Sequence, residues 1–492
     1  MSPIAPLIFA TIISPADNGM WQMNSLAYEN PAVKQWMLPD SYNSIEVGYH
    51  KAKADEAVNV PGDGTGDDYW HADANAYMKY KSSTLWGAAS YRNGHQRNIV
   101  WNETSDADII YPYFTADSIG GDMSMERYHF SGGYADHTDK WAWGVTLGYT
   151  AGQYYRNVDP RPKNVTGKLD LSVGGGRLIL NDSYFIGASV NWYKYKQSND
   201  IDFKSQTGVE KIYHLTGLGT DYTRFAGTGM DVYYSGNCPG VSVNLFPTKG
   251  SGLVASASFN RLTLNKILND LNKLPLANIN HKELNAQLGW LDYGAMNDWG
   301  ITATLKIYRR HGTENIFGDA ASSIYPQIGN LFMYADNAVN LNLSGLWQHR
   351  WGDKMIIWLR PEVGYAHRTT AYREPARYQT LNQVSPGITA SLTSRLGKKW
   401  RGSLTAAYHS AIPFNSELYL SDTSTNSPGL INAFEQSYTF ASEKAQNFSA
   451  ELRVARSISE KYGLSLAIEW DRTAYCNNVN RNNIDLNVAF TF

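Results

Sequence analysis

The charged residues of this chain gather in short alternating pairs rather than in catalytic or metal-binding spacings. Lys168 and Asp170, Arg360 and Glu362, Glu451 and Arg453, and Glu469 and Asp471 each stand two residues apart, and Lys306 and Asp485 hold like positions in their own segments. A spacing of two puts both members on one face of an extended chain. Such mixed charges could hold a polar or zwitterionic solute, or simply pair with one another to satisfy an interior wall. Nucleophilic chemistry has less support. The 11 histidines are scattered, and neither Gly-x-Ser-x-Gly nor His-Glu-x-x-His occurs. His129 and Ser131 do share a strand face, a coincidence that is common in a serine-containing chain. Gly174-Gly175-Gly176 ends an extended segment with no following helix to supply phosphate-binding N–H groups. The chain is therefore read as a non-enzyme.

Metal and redox chemistry are similarly thin. Cys238 and Cys476 show no Cys-x-x-Cys or Cys/His spacing, so neither a disulfide framework nor a zinc site is expected. No cofactor is expected. Pro61 to Asp68, and Asp106, Asp108, Asp117 and Asp122, are loop sets whose oxygens could gather round Ca²⁺, without the EF-hand spacing.

The elements that carry these residues alternate. Near the C-terminus Ile484, Leu486, Val488, Phe490 and Phe492 are apolar at every second position, with Asp485, Asn487, Ala489 and Thr491 between them. That is a strand with two different faces. The same pattern recurs back to Ile45–Tyr49, giving about eighteen strands, within a range of about fourteen to eighteen. Short links, such as 137–140, 181–182, 352–353 and 460–461, take turns with long ones at 93–124, 197–229, 311–332 and 411–440. Aromatics flank many short links: Trp141, Trp299, Trp351, Trp400 and Tyr462. Those rings would share one height, as a headgroup girdle does.

These regularities predict an all-β fold: a transmembrane antiparallel up-and-down β-barrel with short periplasmic turns and long extracellular loops. Closure follows from backbone chemistry, because an unpaired sheet edge cannot be satisfied in hydrocarbon. In this register Lys168, Asp170, Lys306, Arg360, Glu362, Glu451, Arg453, Glu469, Asp471 and Asp485 line the lumen. The composition agrees. Its 33 tyrosines, 15 tryptophans and 42 glycines stand beside a net charge of −2, which gives no field for nucleic acid. No run of about 18 apolar residues exists to form a membrane helix.

Two segments break the alternation. Leu264, Ile267, Leu268, Leu271 and Leu274 recur at helical spacing, predicting an amphipathic helix that either lids the barrel mouth or presents Ile267, Leu268 and Leu271 to a partner. Residues 1–43 precede the first strand. Their opening apolar run, Ile4 to Ile13, reads as a signal remnant or an ordinary tail, and the rest as a periplasmic tail or a lumen plug built on Trp21, Asn30, Pro31 and Trp36. Residues 44–492 form the barrel.

Specific motifs add a resemblance. Trp101-Asn102-Glu103, Tyr111-Pro112-Tyr113, Asp117-Ser118-Ile119-Gly120-Gly121-Asp122, and Asp159-Pro160-Arg161-Pro162-Lys163-Asn164 resemble the signatures of an uncharacterised family of outer-membrane β-barrels of Bacteroidota. Asn30-Pro31-Ala32 is similar to the hatch motif of fatty-acid-transporter-type barrels. The first resemblance implies a Gram-negative outer membrane, with outer-membrane lipid around the barrel and a TonB-dependent receptor or surface lipoprotein as partner. The expected role is porin-like transport, the passage or binding of a small solute. A non-conducting scaffold of a surface complex is the alternative, and an outer-membrane enzyme the third reading.

Overall fold

The computed structural model describes residues 19–23, 29–38, 40–205, 210–227, 231–248, 250–322, 324–352, 354–421, 428–459 and 461–492. The apolar run Ile4–Ile13, and Asn24 to Tyr28 just before the hatch-like motif, lie outside them. Eighteen long strands form the wall: β1 (Tyr42–Ala54), β2 (Gly66–Lys79), β3 (Ser83–Ile99), β4 (Gly121–His137), β5 (Trp141–Tyr155), β6 (Arg161–Ile179), β7 (Tyr184–Asp202), β8 (Val232–Pro247), β9 (Gly252–Leu268), β10 (Leu274–Tyr293), β11 (Asn297–Phe317), β12 (Gln327–Trp351), β13 (Met355–Tyr372), β14 (Arg377–Arg395), β15 (Trp400–Pro413), β16 (Ala445–Ser457), β17 (Gly463–Ala474) and β18 (Asn480–Thr491). Each pairs antiparallel with the next, and β1 pairs with β18 from Ser44↔Thr491 to Ala54↔Arg481, which closes the sheet. Closure removes every edge, the condition hydrocarbon imposes on a backbone. Among the described residues no helix is long and apolar enough to cross a membrane; the crossing is made by strands.

The period-two pattern fixes the two faces. Leu464, Leu466, Ile468, Ile484, Leu486 and Val488 are all exposed on the outer wall. The aromatics flanking the short links, Trp141, Trp299, Trp351, Trp400 and Tyr462, are exposed at one rim, with Arg177 and Arg456 stacked over Trp141 and Trp400.

At the opposite rim the strands overrun the membrane. β10, β11 and β12 hold 20, 21 and 25 residues, where about 10 suffice to span. The expected long links at 93–124, 197–229 and 311–332 are shortened accordingly.

This overrun also corrects the amphipathic helix expected around Ile267, Leu268 and Leu271. Residues 252–268 are β9, and Leu274 opens β10 after a turn. Leu264 and Leu268 are four apart, a spacing that faces one way in a strand as well as in a helix. Here Leu262, Leu264 and Leu268 face inward and are buried, Ile267 is half-buried on the other face, and Leu271 packs against the interior cluster from the turn. None of the three stands on a free helical face. The helix that does form beyond the membrane is Pro428–Ser442, whose Leu430, Ile431, Phe434 and Phe440 are buried.

Candidate functional site

Two segments fold inward against the lumen wall, one near each end. At the short-turn end, Asn30 caps the 3₁₀ turn Pro31–Trp36: its Oδ1 accepts from Ala32 N–H (3.0 Å), and its Nδ2 donates to Asn244 Oδ1 (2.8 Å) and to the Ala188 carbonyl (3.3 Å). Glycines in three adjacent strands make room. A Cβ on Gly144 would meet the Pro31 carbonyl at 2.7 Å, one on Gly174 the Asn30 Oδ1 at 2.0 Å, and one on Gly187 the Asn30 Nδ2 at 2.8 Å. The glycine run beginning at Gly174 is thus a seat for Asn30.

Trp36 packs on Phe185 and Phe246 with ring centroids 4.9 and 5.7 Å away. Met20 and Met23 belong to one buried cluster with Val254, Leu291, Leu346 and Trp358, and Gln287 donates to the Met23 carbonyl (2.9 Å). Pro31 is buried; Trp21 lies in the short helix Gly19–Gln22, its side chain outside the described atoms.

At the other end, residues 100–120 and 210–227 dip inward and pair as a miniature sheet of Thr115–Ala116, Tyr213–Gly217 and Thr220–Asp221. Side chains of the wall hold this plug by its carbonyls. Asn164 and Asn199 both donate to the Glu103 carbonyl (2.8 and 3.0 Å), Tyr234 to that of Tyr113 (2.8 Å), Lys266 to that of Phe114 (2.7 Å), Arg310 to that of Tyr111 (3.0 Å) and Arg377 to that of Leu218 (2.8 Å).

A fully buried Arg156 fastens its base, 2.6 Å from Asp117 Oδ2 and 3.5 Å from Glu103 Oε1. Asp117 Oδ1 accepts the N–H groups of Ile119 and Gly120. Burial, then the charge of Asp117, pushes the Glu103 carboxyl well above the usual range, with Arg156 opposing. Burial also works upward on Asp117, but Arg156 and hydrogen bonds from its neighbours bring it below its ordinary value.

Three of the four loop aspartates of the 106–122 set considered for Ca²⁺ are engaged with protein groups: Asp117 as above, Asp106 with Arg127 and Tyr195, and Asp122 with Arg97. The motifs at 101–103, 111–113, 117–122 and 159–164 all contribute to this end of the barrel. Sequence reasoning named them without a role. The aromatics of the first two, Trp101, Tyr111 and Tyr113, too apolar for a solvated loop, were the available signal.

Between the plugs the inner wall is polar. All ten lumen candidates occupy the face opposite the exposed apolar rows. Lys168 and Asp170 pair at 2.7 Å, Arg453 and Glu451 at 2.9 Å, and Arg360 and Glu362 at 3.8 Å, each within one strand. Lys306 reaches across to Glu283 (3.0 Å), Glu362 also meets His409 Nε2 (2.7 Å), and Asp485 meets His50 Nδ1 (2.7 Å). Asp471 accepts from Asn447 and Asn483. Sequence reasoning missed Glu283, His409 and His50, which come from other strands and carry no short-range signal.

One side of this chamber is a cavity of about 400 Å³ lined by His129, Ser131, Lys168, Asp170, Tyr193 and Cys238 among others. His129 Nδ1 hydrogen-bonds with Thr150 Oγ1 (2.9 Å), an engagement that ties its ring to the wall rather than to Ser131. Glu46, His71 and Asp73 lie close enough to share an ion, though His71 Nδ1 is bonded to Asp73 (2.7 Å).

The molecule is thus a closed transmembrane β-barrel with a segment folded into it near each rim and a polar wall in between. Its sequence matches the model of a family of unknown function, DUF6850, over residues 31–492, and the chain belongs to that family. No curated protein matches it. Solved structures similar to it include the ferric enterobactin receptor PfeA of Pseudomonas aeruginosa (8% identity, 92% of this chain and 80% of that one, TM-score 0.39). Others are the Ralstonia pickettii toluene transporter TbuX (9%, 95% and 93%, 0.32) and the copper transporter OprC (9%, 91% and 80%, 0.42).

Proposed function

We propose that this protein is an outer-membrane barrel for the passage or binding of a small polar solute, with its two plugs acting as gates. The observation that carries the reading is the polar chamber between them. Its wall offers both signs of charge within one strand face, at Lys168/Asp170, Arg360/Glu362 and Glu451/Arg453. That arrangement suits a zwitterion or a polyhydroxylated molecule better than a simple ion.

The resemblance of its motifs to those of outer-membrane barrels of Bacteroidota favours a Gram-negative outer membrane as its location, and a TonB-dependent receptor or surface lipoprotein as a companion able to displace a plug. Plugs at both ends also favour a second reading, a non-conducting scaffold for such a complex. Planar-bilayer conductance separates them. Brief openings that lengthen when residues 1–38 are removed and a partner is added support transport. A barrel silent in every state, with a tightly bound partner in native co-purification, favours the scaffold.

A further inference from the structure

Three cations stand side by side on the outer, lipid-facing wall. Arg261 of β9 is directly opposite Lys282 of β10, across an antiparallel ladder, and Lys282 is directly opposite Arg309 of β11. All three are exposed, and His311 follows Arg309 on the same face. Like charges in direct register repel. By contrast, the outward Arg97 of β3 is neutralised, 2.5 Å from Asp68 and 2.8 Å from Asp122. Around the cation row the outward neighbours are Thr263, Asn278, Asn280, Thr313 and Asn337, and none of the three cations has a carboxylate within ion-pair distance among the described residues.

Height supplies the second observation. Arg309 is ten residues beyond the girdle residue Trp299 in β11. That is about 33 Å along the strand, and about 25 Å along the barrel axis at a tilt near 40°. The apolar band of such barrels is about 25 Å tall, so the row lies where the outer-leaflet headgroups begin. Beside it the outer wall dips into a groove lined by Ile307, Arg309, His311, Asn337, Val339 and His367, apolar below and polar above.

We propose that Arg261, Lys282 and Arg309 form a site for the phosphate of an outer-leaflet lipid, with the groove taking the adjoining acyl and headgroup atoms. The missing counter-charge is then the phosphate itself, held by charge-assisted hydrogen bonds from adjacent strands. Free inorganic phosphate shares that chemistry but has no use for the groove.

The test is native mass spectrometry of the full barrel in dodecyl maltoside, mixed with equal amounts of phosphatidic acid and phosphatidylcholine. The site predicts that phosphatidic acid is retained over phosphatidylcholine by about tenfold or more. R261Q/K282Q/R309Q should bring the ratio close to one, while R97Q, which alters a neutralised cation, leaves it unchanged. Heat-modifiable gel migration reports whether each variant is folded. Should the triple variant fail to fold, K282Q alone must lower the ratio.

Equal retention of the two lipids by the natural protein overturns the proposal, as does selectivity untouched by the Gln substitutions. Removal of the bound phosphatidic acid by millimolar inorganic phosphate would show a free-anion site and overturn the assignment to lipid.

Discussion

Replacing Asn30 by alanine should unseat the plug at the short-turn end. The substitution deletes the acceptor for Ala32 N–H and both Nδ2 bonds to the wall. Loss of an N-cap costs about 1 kcal/mol, and a buried acceptor left without its donor about 1–3 kcal/mol. Lumen water can enter the vacated space and return part of this. A net weakening of about 2 kcal/mol multiplies the undocked population about thirtyfold. Cys238 is a built-in reporter: it faces the chamber and is 5% exposed, while the other thiol, Cys476, lies in the link after β17 and can be removed as C476S.

In oriented proteoliposomes, a membrane-impermeant thiol reagent supplied on the short-turn side should modify Cys238 about thirtyfold faster in N30A than in the parent, provided docking is fast relative to labelling. The same reagent on the long-loop side should show no change. Asn30→Ser keeps the capping oxygen and should lie between. Equal rates in parent and variant, or equal acceleration from both sides, would refute the claim that Asn30 holds a gate.

Gly174→Val should give a larger effect in the same assay, because its Cβ would sit 2.0 Å from Asn30 Oδ1; tighter protection of Cys238 would contradict the seat. Arg156→Met leaves Asp117 buried without its cation and should weaken the other plug by about 3–5 kcal/mol, exposing residues 100–120 to proteolysis. Glu103→Gln, which mimics the protonated form favoured by burial, should be close to neutral. At the long-loop rim, burial followed by Asp270, Asp200 and Asp202 raises Asp231 to about 6. For an acid raised in the folded state the protonated form is the favoured one. The rim should therefore loosen as pH climbs from about 4 through 6. The Asn269 amide, which donates to the Asp231 carbonyl (2.7 Å), should lose exchange protection over that window, and should not in Asp231→Asn.

The cylinder was legible because its cause is local. Every strand must present lipid on one side, so Leu464, Leu466 and Ile468, or Val165, Leu169 and Leu171, announce themselves at period two. The lumen charges follow by parity alone. The plug at the long-loop end was not legible for the opposite reason. Tyr113, Phe114 and Leu215 are buried by residues far away in the chain, and nothing in their own segments repeats. The N-terminal plug was readable from the sequence as one of two alternatives, with a periplasmic tail as the other, through Asn30, Pro31 and the aromatic Trp36 ahead of the first strand. The Leu264 to Leu274 stripe misled because an inward strand face turns apolar where it leaves the bilayer and meets protein, and its spacing of four then mimics a helix.

That inversion of polarity bears on whether the interior is a packed scaffold or a chamber. Where a plug touches the wall, inward apolar clusters stand beside the side chains that hold its carbonyls: Phe185, Phe246 and Leu291 near one rim, Leu262, Leu264 and Ile279 near the other. Between them the same strands change composition at the same parity. β9 turns Ser256, Ser258 and Asn260 inward, and β10 turns Glu283 and Asn285 inward. A barrel filled solidly with protein would gain from continuing the apolar face through the middle, since each buried polar group there needs a partner that apolar packing makes unnecessary. The wall instead keeps hydroxyls, amides and ion pairs over that height, as a surface facing water does. If the middle is wet, buried-water exchange and thiol reagents reach Cys238 once either plug is loosened. If it is packed, Cys238 stays protected until the whole barrel unfolds.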